Sequence, residues 1–206
     1  MLDSRLFLIF VGAAIVLAVT PGPGIFYVLT RTLAGGRREG AHSAIGTLIG
    51  GMVHVVAAAA GVSAILAASS TAYATVKYAG AAYLVWIGIG MIRTRNLGAL
   101  EEVKPRGHAL RQGIWTEVLN PKTALFFLSF IPQFVNVSLG HVVLQFLILG
   151  TISVVLNTTA DLIVVLFASQ LAKKMKSSTR FRRNQRVASG TAMIGLGAFV
   201  ALSESR

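Results

Sequence analysis

The sequence has few charged residues and no cysteine. Only 13% of its 206 residues are charged, whereas soluble domains carry about 25%. Without cysteine, the chain can form neither disulfide bonds nor a thiolate metal site. Hydrophobic residues make up 54% of the chain and the mean hydropathy is +0.71. This composition predicts an integral membrane protein.

Acidic residues are scarce: seven Asp and Glu stand against 19 Lys and Arg, which gives a net charge of +12. Such an excess, with the basic run at 173–186, could indicate a nucleic-acid partner. In a chain with several apolar blocks, however, basic runs are typical of loops retained in the cytoplasm. We therefore expect the lipid bilayer, and no nucleic acid, as the partner of this chain.

Motifs of catalysis are also missing. The sequence contains no His-Glu-x-x-His and no Gly-x-Ser-x-Gly, and its four histidines are scattered. An intramembrane enzyme would require a metal cluster or a nucleophile with its base. We therefore predict that the chain is not an enzyme and has no metal site and no cofactor.

Six apolar blocks lie between clusters of charged or helix-breaking residues. Each is long enough for a helix to cross a hydrocarbon core of roughly 30 Å. The pattern predicts an all-α integral membrane protein with six transmembrane helices. The blocks span residues 6–33, 41–68, 74–92, 113–135, 142–171 and 187–202.

The positions of Lys and Arg predict the orientation of the helices. The first, third and fifth connections hold most of them: Arg31, Arg37, Arg38; Arg93, Arg95, Lys104, Arg106, Arg111; and Lys173, Lys174, Lys176, Arg180, Arg182, Arg183, Arg186. On the other side lie only Arg5, Lys77 and Arg206. The positive-inside rule places the basic connections in the cytoplasm and both termini outside.

Two apolar blocks are interrupted by helix-breaking residues, at residues 20–24 and 120–122. Pro21 and Pro121 are 100 residues apart, which is close to half the chain. The spacing predicts two three-helix repeats, residues 1–100 and 101–206, within one membrane domain. Because three is odd, the repeats would be inverted, as in many secondary transporters, with helices 1 and 4 broken.

The paired interruptions mark a candidate substrate site. Proline removes a backbone donor, and irregular backbone inside a membrane requires protein or a water-filled cavity around it. A half-helix should begin near Gly24 and another near Lys122, and their free N–H groups favour an anion such as a carboxylate. The alternative is a pair of simple proline kinks. The interruptions contain Pro21, Gly22, Pro23, Gly24, Asn120, Pro121 and Lys122.

Glu117, Lys122, Asp161 and His54 are ionisable residues within apolar blocks. Charges there are costly and face the protein interior or one another. Asp161 could bind a substrate ammonium group or exchange a coupling proton; alternatively, it pairs with Lys122 for structural reasons. Glu117 is a second candidate for coupling. His54 is a weaker candidate, since a lone histidine on a small-residue helix is more often a packed residue.

Glycines recur along the second and third blocks, among them Gly50 and Gly51. Small residues at one-turn spacing allow helices to approach closely in lipid. Close helix packing is the default interpretation of these glycines, and a smooth cavity wall beside the breaks is the alternative. The same glycine-rich faces would also permit a homodimer.

These motifs together resemble the LysE/RhtB family of amino-acid exporters over nearly the whole chain. The matching strings are T-P-G-P-G at 20–24, the run from Arg38 through Gly40, Gly46 and Gly50, and L-N-P-K-T-A-L-F-F at 119–127 followed by Pro132-Gln133-Phe134. The resemblance implies a secondary transporter of the bacterial cytoplasmic membrane that exports amino acids or their derivatives, driven by protons. It also implies a site at Pro21, Gly22, Pro23, Asn120, Pro121, Lys122 and Asp161.

Within that family, the acidic residues favour a neutral substrate. A dibasic amino acid requires an acidic partner for its side chain as well as one for its α-ammonium group. Only Asp161 and Glu117 are available in the blocks. A passive channel, which would require a continuous polar lining, and a membrane scaffold, which would not require matched breaks, are the alternatives to a carrier.

Overall fold

The computed structural model describes residues 4–93 and 108–203, apart from the side chains of residues 62–68, 70 and 176. All regular structure in these ranges is helical, as predicted. The helices are α1 Ser4–Val19, α2 Pro23–Ala68, α3 Ser70–Arg93, α4 Ala109–Val118, α5 Pro121–Leu125, α6 Val142–Ser177 and α7 Thr179–Leu202. A π-helical turn Phe126–Phe130 and 3-10 turns Ile131–Phe134 and Val137–Leu139 connect α5 to α6.

Four of the described helices are long and apolar enough to cross a membrane. They comprise Pro23–Gly61, Thr71–Arg93, Val142–Met175 and Thr179–Leu202. The apolar helix α1 is shorter, and α4 and α5 are short segments that follow one another. The chain is therefore a multi-pass membrane protein, while the count of six spans stays a prediction.

The loop expected between the first two apolar blocks is absent from the described chain. Helix α2 instead continues through it and bends at Gly36, whose φ is 78° and ψ is −176°. A positive φ is accessible to glycine because it has no Cβ. The first connection is thus one residue of non-helical backbone within α2.

The basic run at 173–186 is not the loop that its composition suggested. Helix α6 ends at Ser177, α7 begins at Thr179, and the Ser178 hydroxyl accepts a hydrogen bond of 3.1 Å from the backbone N–H of Phe181. Lys and Arg are good helix formers, so both helices continue through the basic run. Of the other predicted basic positions, Arg95, Lys104, Arg106 and Arg206 lie outside the described residues.

Glycine contacts hold two pairs of helices together in antiparallel fashion. Helix α3 packs on α7, where a Cβ placed on Gly88 would lie 2.6 Å from the Gly190 carbonyl and one on Gly190 equally close to the Gly88 carbonyl. Helix α2 packs on α6, with Gly51 against Val154. Such close approach through small residues is how helices associate in lipid.

An aromatic cluster surrounds the turns that follow α5. The rings of Phe126 and Phe130 stack at 4.8 Å, and Phe134 lies 5.4 Å from Phe10 of α1 and 5.8 Å from Phe199 of α7. Aromatic pairs at these distances add to the stabilisation that burial provides. The cluster fixes α5 against α1 and α7, and so positions the second helix break in the interior.

Candidate functional site

The first predicted interruption is present between α1 and α2. Helix α1 ends at Val19, and the Thr20 hydroxyl donates back to the Val16 carbonyl over 2.6 Å. Pro23 is the first residue of α2, a position where its missing N–H costs no helical hydrogen bond. Three residues, 20–22, therefore separate the carbonyl end of α1 from the start of α2.

The second predicted interruption lies between α4 and α5. The backbone leaves the helix at Leu119, and Asn120 caps α5 because its Oδ1 accepts from the Lys122 N–H over 3.1 Å. Pro121 takes the first helical position, as Pro23 does in α2. Two helices thus start with proline directly after a break, as the sequence predicted.

Lys122 joins the two breaks. Its side chain is 7% exposed, and its Nζ donates to the carbonyls of Thr20, at 2.9 Å, and Leu17, at 3.2 Å. Carbonyls at a helix end have no partner within the helix, and a cation there is favourable. Gly22 permits this approach, since a Cβ on Gly22 would lie 3.2 Å from the same Nζ.

The Glu117 carboxylate lies at the beginning of α5, beside the start of α2. It is 3% exposed; its Oε1 accepts from the Thr123 hydroxyl at 2.6 Å and its Oε2 from the Asn120 amide at 3.1 Å. A Cβ on Gly24 would lie 2.7 Å from Oε2, so a larger residue at position 24 would displace the Glu117 carboxylate. A carboxylate of the chain itself thus occupies the region where the sequence predicted an anion.

Asp161 is fully buried in α6, with a relative exposure of 0%. Its Oδ2 accepts a hydrogen bond of 2.8 Å from the Thr47 hydroxyl, whereas its Oδ1 has no partner. It forms no ion pair with Lys122, whose ammonium group instead binds the α1 carbonyls. The structural pairing of these two residues, one of the alternatives considered, is therefore not present in the described chain.

A small cavity of about 20 Å³ with polar and apolar walls lies beside these groups. The Ser153 hydroxyl on its wall has no hydrogen-bond partner. This volume accommodates about one water-sized molecule, far less than an amino acid, so the site is closed in this conformation. The lining residues are Leu17, Thr47, Gly51, Glu117, Thr123, Phe127, Ser153, Val154 and Asn157.

The weaker candidates lie around the same site. The His54 Nε2 lies 2.9 Å from the Glu117 carbonyl oxygen, and a hydrogen bond there requires the Nε2–H form of the ring. The same ring stacks on Phe127. Gly51 lines the cavity, whereas Gly50 packs on α4, where an added Cβ would lie 2.7 Å from the Glu117 Cβ. Gly50 therefore serves close packing alone, whereas Gly51 both packs on Val154 and lines the cavity.

Sequence reasoning missed the hydroxyl groups of the site and the burial of two basic residues. Thr47 and Thr123 bind the two buried carboxylates, and a signal existed: Thr47 stands four and seven positions before Gly51 and His54, on one helical face. Arg31 and Lys77, counted with the connections, are fully buried. The Arg31 guanidinium group donates to the Tyr27 hydroxyl, and the Lys77 ammonium group donates to the Ser203 carbonyl.

The apolar helices and the closed polar site between two helix breaks define a multi-pass membrane protein of the transporter class. The family profile described as "LysE type translocator" matches residues 15–204. The chain belongs to this family, whose members are transporters rather than enzymes, as the sequence predicted.

Several relatives of the chain are efflux proteins. The chain is similar to a leucine efflux protein of Enterobacter sp., with 31% identity covering 91% of this chain and 88% of the relative. It is also similar to a homoserine/homoserine lactone efflux protein of Salmonella typhi, with 31% identity covering 77% and 76%. An uncharacterized membrane protein of Pseudomonas aeruginosa is 34% identical over 86% and 83%. No solved structure matches the chain.

Proposed function

We propose that this protein exports neutral amino acids or their derivatives across the bacterial cytoplasmic membrane by proton-coupled alternating access. The observation that carries the proposal is the bond between the two helix breaks, where Lys122 holds the carbonyls of Leu17 and Thr20 beside a buried carboxylate. A structural bundle has no need of a lysine and two acids in its interior, because burying them is costly.

The family and the named relatives support export of an amino acid. Leucine and homoserine, the cargo in the relatives' names, carry no charge on their side chains. Both oxygens of Glu117 are already engaged by Asn120 and Thr123, which leaves the unpartnered Oδ1 of Asp161 for a substrate ammonium group or a proton. One available acidic oxygen suits the single ammonium group of a neutral amino acid, whereas the side-chain cation of a dibasic amino acid would lack a partner.

The closed cavity suggests how the cycle proceeds. For an amino acid to enter, the Lys122 ammonium group must release the α1 carbonyls and Glu117 must move away from the start of α2. The substrate carboxylate can then take their place between Lys122 and the beginnings of α2 and α5, where free N–H groups favour an anion. When the substrate has left at the other side of the membrane, Lys122 binds the α1 carbonyls again and Glu117 returns to the start of α2, which completes the cycle.

The two inverted repeats and the external position of both termini belong to this proposal. Support comes from the antiparallel contacts: Gly88 meets Gly190, and Gly51 meets Val154, so positions separated by about half the chain face each other. A homodimer has narrower support. Gly50 and Gly88 pack inside the chain, whereas a Cβ on Gly61 would meet no atom of the described residues within 4 Å, so part of the glycine-rich faces stays open to a second copy.

An export screen in cells tests the function. Cells that express the chain should accumulate one or more neutral amino acids in the medium above the empty-vector level, and Asp161→Asn should abolish the increase. Thr159→Val is the matched control on the same helix, because the Thr159 hydroxyl is exposed and binds only the Val155 carbonyl. If Asp161→Asn exports normally with unchanged pH dependence, Asp161 has no coupling role.

A further inference from the structure

A groove of about 480 Å³ lies between α2, α3 and α7, apart from the closed cavity. Its walls are mainly apolar and include Trp86 and Phe26, while one end carries Arg93, Gln185 and Arg186. Among the described residues that line it there is no Asp or Glu. The groove thus combines an apolar body with a positively charged end.

Two residues of the charged end, Arg186 and Gln185, have polar atoms without partners among the described residues. The Nε and one terminal nitrogen of Arg186 are buried and make no hydrogen bond, and neither does the Oε1 of Gln185. A buried polar group without a partner is costly, and the cost is greater for a charged one. A guanidinium group is suited to bidentate binding of a phosphate or carboxylate, so an anionic ligand would satisfy Arg186.

The position of the groove indicates a lipid. Arg93 is the last residue of the apolar helix α3, so the charged end lies where that helix leaves the hydrocarbon core. Trp86 precedes Arg93 by two turns, about 10 Å along the helix, and is 66% exposed. Basic pockets between helices at the membrane edge bind anionic lipid head groups.

An amino acid fits the groove less well. Its α-ammonium group would require an acidic or carbonyl partner in an apolar wall, and the described lining offers no acid. We propose that this groove binds an anionic phospholipid such as phosphatidylglycerol. The phosphate binds Arg186 and Arg93, a head-group hydroxyl donates to Gln185, and an acyl chain lies along Trp86 toward Pro21 at the first helix break.

Quenching of Trp86 fluorescence by brominated lipids tests the site. The chain has two tryptophans, so Trp115→Phe leaves Trp86 as the only one, and this variant is reconstituted with brominated phosphatidylglycerol or brominated phosphatidylcholine. We expect phosphatidylglycerol to bind at Trp86 with about fivefold higher affinity than phosphatidylcholine. Adding Arg186→Gln should make the two lipids bind with equal affinity.

Arg183→Gln is the matched control, because Arg183 lies on the same helix, is exposed and does not line the groove. In the Trp115→Phe background it should keep the preference for phosphatidylglycerol. Equal quenching by the two lipids would overturn the proposal. An equal loss of the preference in Arg183→Gln and Arg186→Gln would also overturn it, because that result would indicate an effect of surface charge only. Displacement of the lipid by leucine would overturn it as well, because the groove would then be a substrate site.

Discussion

At the residue scale, the site is held together by hydrogen bonds between side chains and helix ends. Lys122 binds the end of α1, and Glu117 binds two side chains at the start of α5. The sequence predicted the charged residues and the helix breaks, because both violate the apolar pattern. It could not predict which donor faces which acceptor, since Thr47 and Asp161 are 114 positions apart and only packing brings them together.

Lys122→Met should reduce transport more than it reduces stability. Methionine keeps the length of the side chain but cannot donate to the Thr20 carbonyl, and a lost buried hydrogen bond costs about 1–3 kcal/mol. We expect counterflow of labelled leucine in proteoliposomes to fall by about tenfold or more.

Lys77→Met is the control for this substitution. Lys77 is also buried and donates to a carbonyl at the end of a helix, that of Ser203, but it lies away from the breaks. It should lower the melting temperature in detergent and leave counterflow per folded protein unchanged. Equal losses of counterflow in both variants would show that Lys122 has only a structural role.

Thr47→Val should weaken substrate binding through Asp161. The change preserves the shape of the side chain and removes the hydroxyl that donates to the Asp161 carboxylate. Hydrogen bonds to charged groups contribute about 1.5–3 kcal/mol, so the leucine concentration for half-maximal counterflow should rise roughly tenfold or more. Thr159→Val makes the same chemical change on the exposed face of α6 and should leave that concentration unaltered.

At the scale of helices, the sequence predicted the existence of the elements better than their ends. Both breaks were located correctly because proline acts locally. The connections at Gly36 and Ser178 were expected as loops, yet the helices continue on both sides of a single residue. Hydropathy identifies where a helix leaves the apolar layer, whereas the helix itself ends only where its backbone hydrogen bonds end.

Gly190→Ala should destabilise the contact between α3 and α7. The added methyl would lie 2.6 Å from the Gly88 carbonyl, and overpacking of this kind typically costs about 1–3 kcal/mol. The melting temperature in detergent should fall by about 2–10 °C. Gly195→Ala, on the same helix with no atom near the new methyl, should keep the wild-type value; a fall in both variants would contradict the packing described.

At the scale of the whole molecule, the distribution of basic residues predicts which side each connection faces. Because the chain contains no cysteine, single-cysteine variants report accessibility without background. Leu139→Cys lies in the connection predicted outside and Arg183→Cys at the predicted cytoplasmic side, and both side chains are exposed. In spheroplasts, a membrane-impermeant maleimide should label only Leu139→Cys until the membrane is permeabilised. The reverse pattern would invert the orientation.

The whole account rests on the claim that the closed centre opens to carry an amino acid. Counterflow measures this most directly: proteoliposomes loaded with unlabelled leucine or homoserine receive a trace of the labelled compound outside. An exchanging carrier should accumulate label transiently above the final equilibrium level, and Lys122→Met should remove this peak. If the wild-type protein, folded and reconstituted, gives no more label than empty liposomes with any neutral amino acid, the proposed function is wrong.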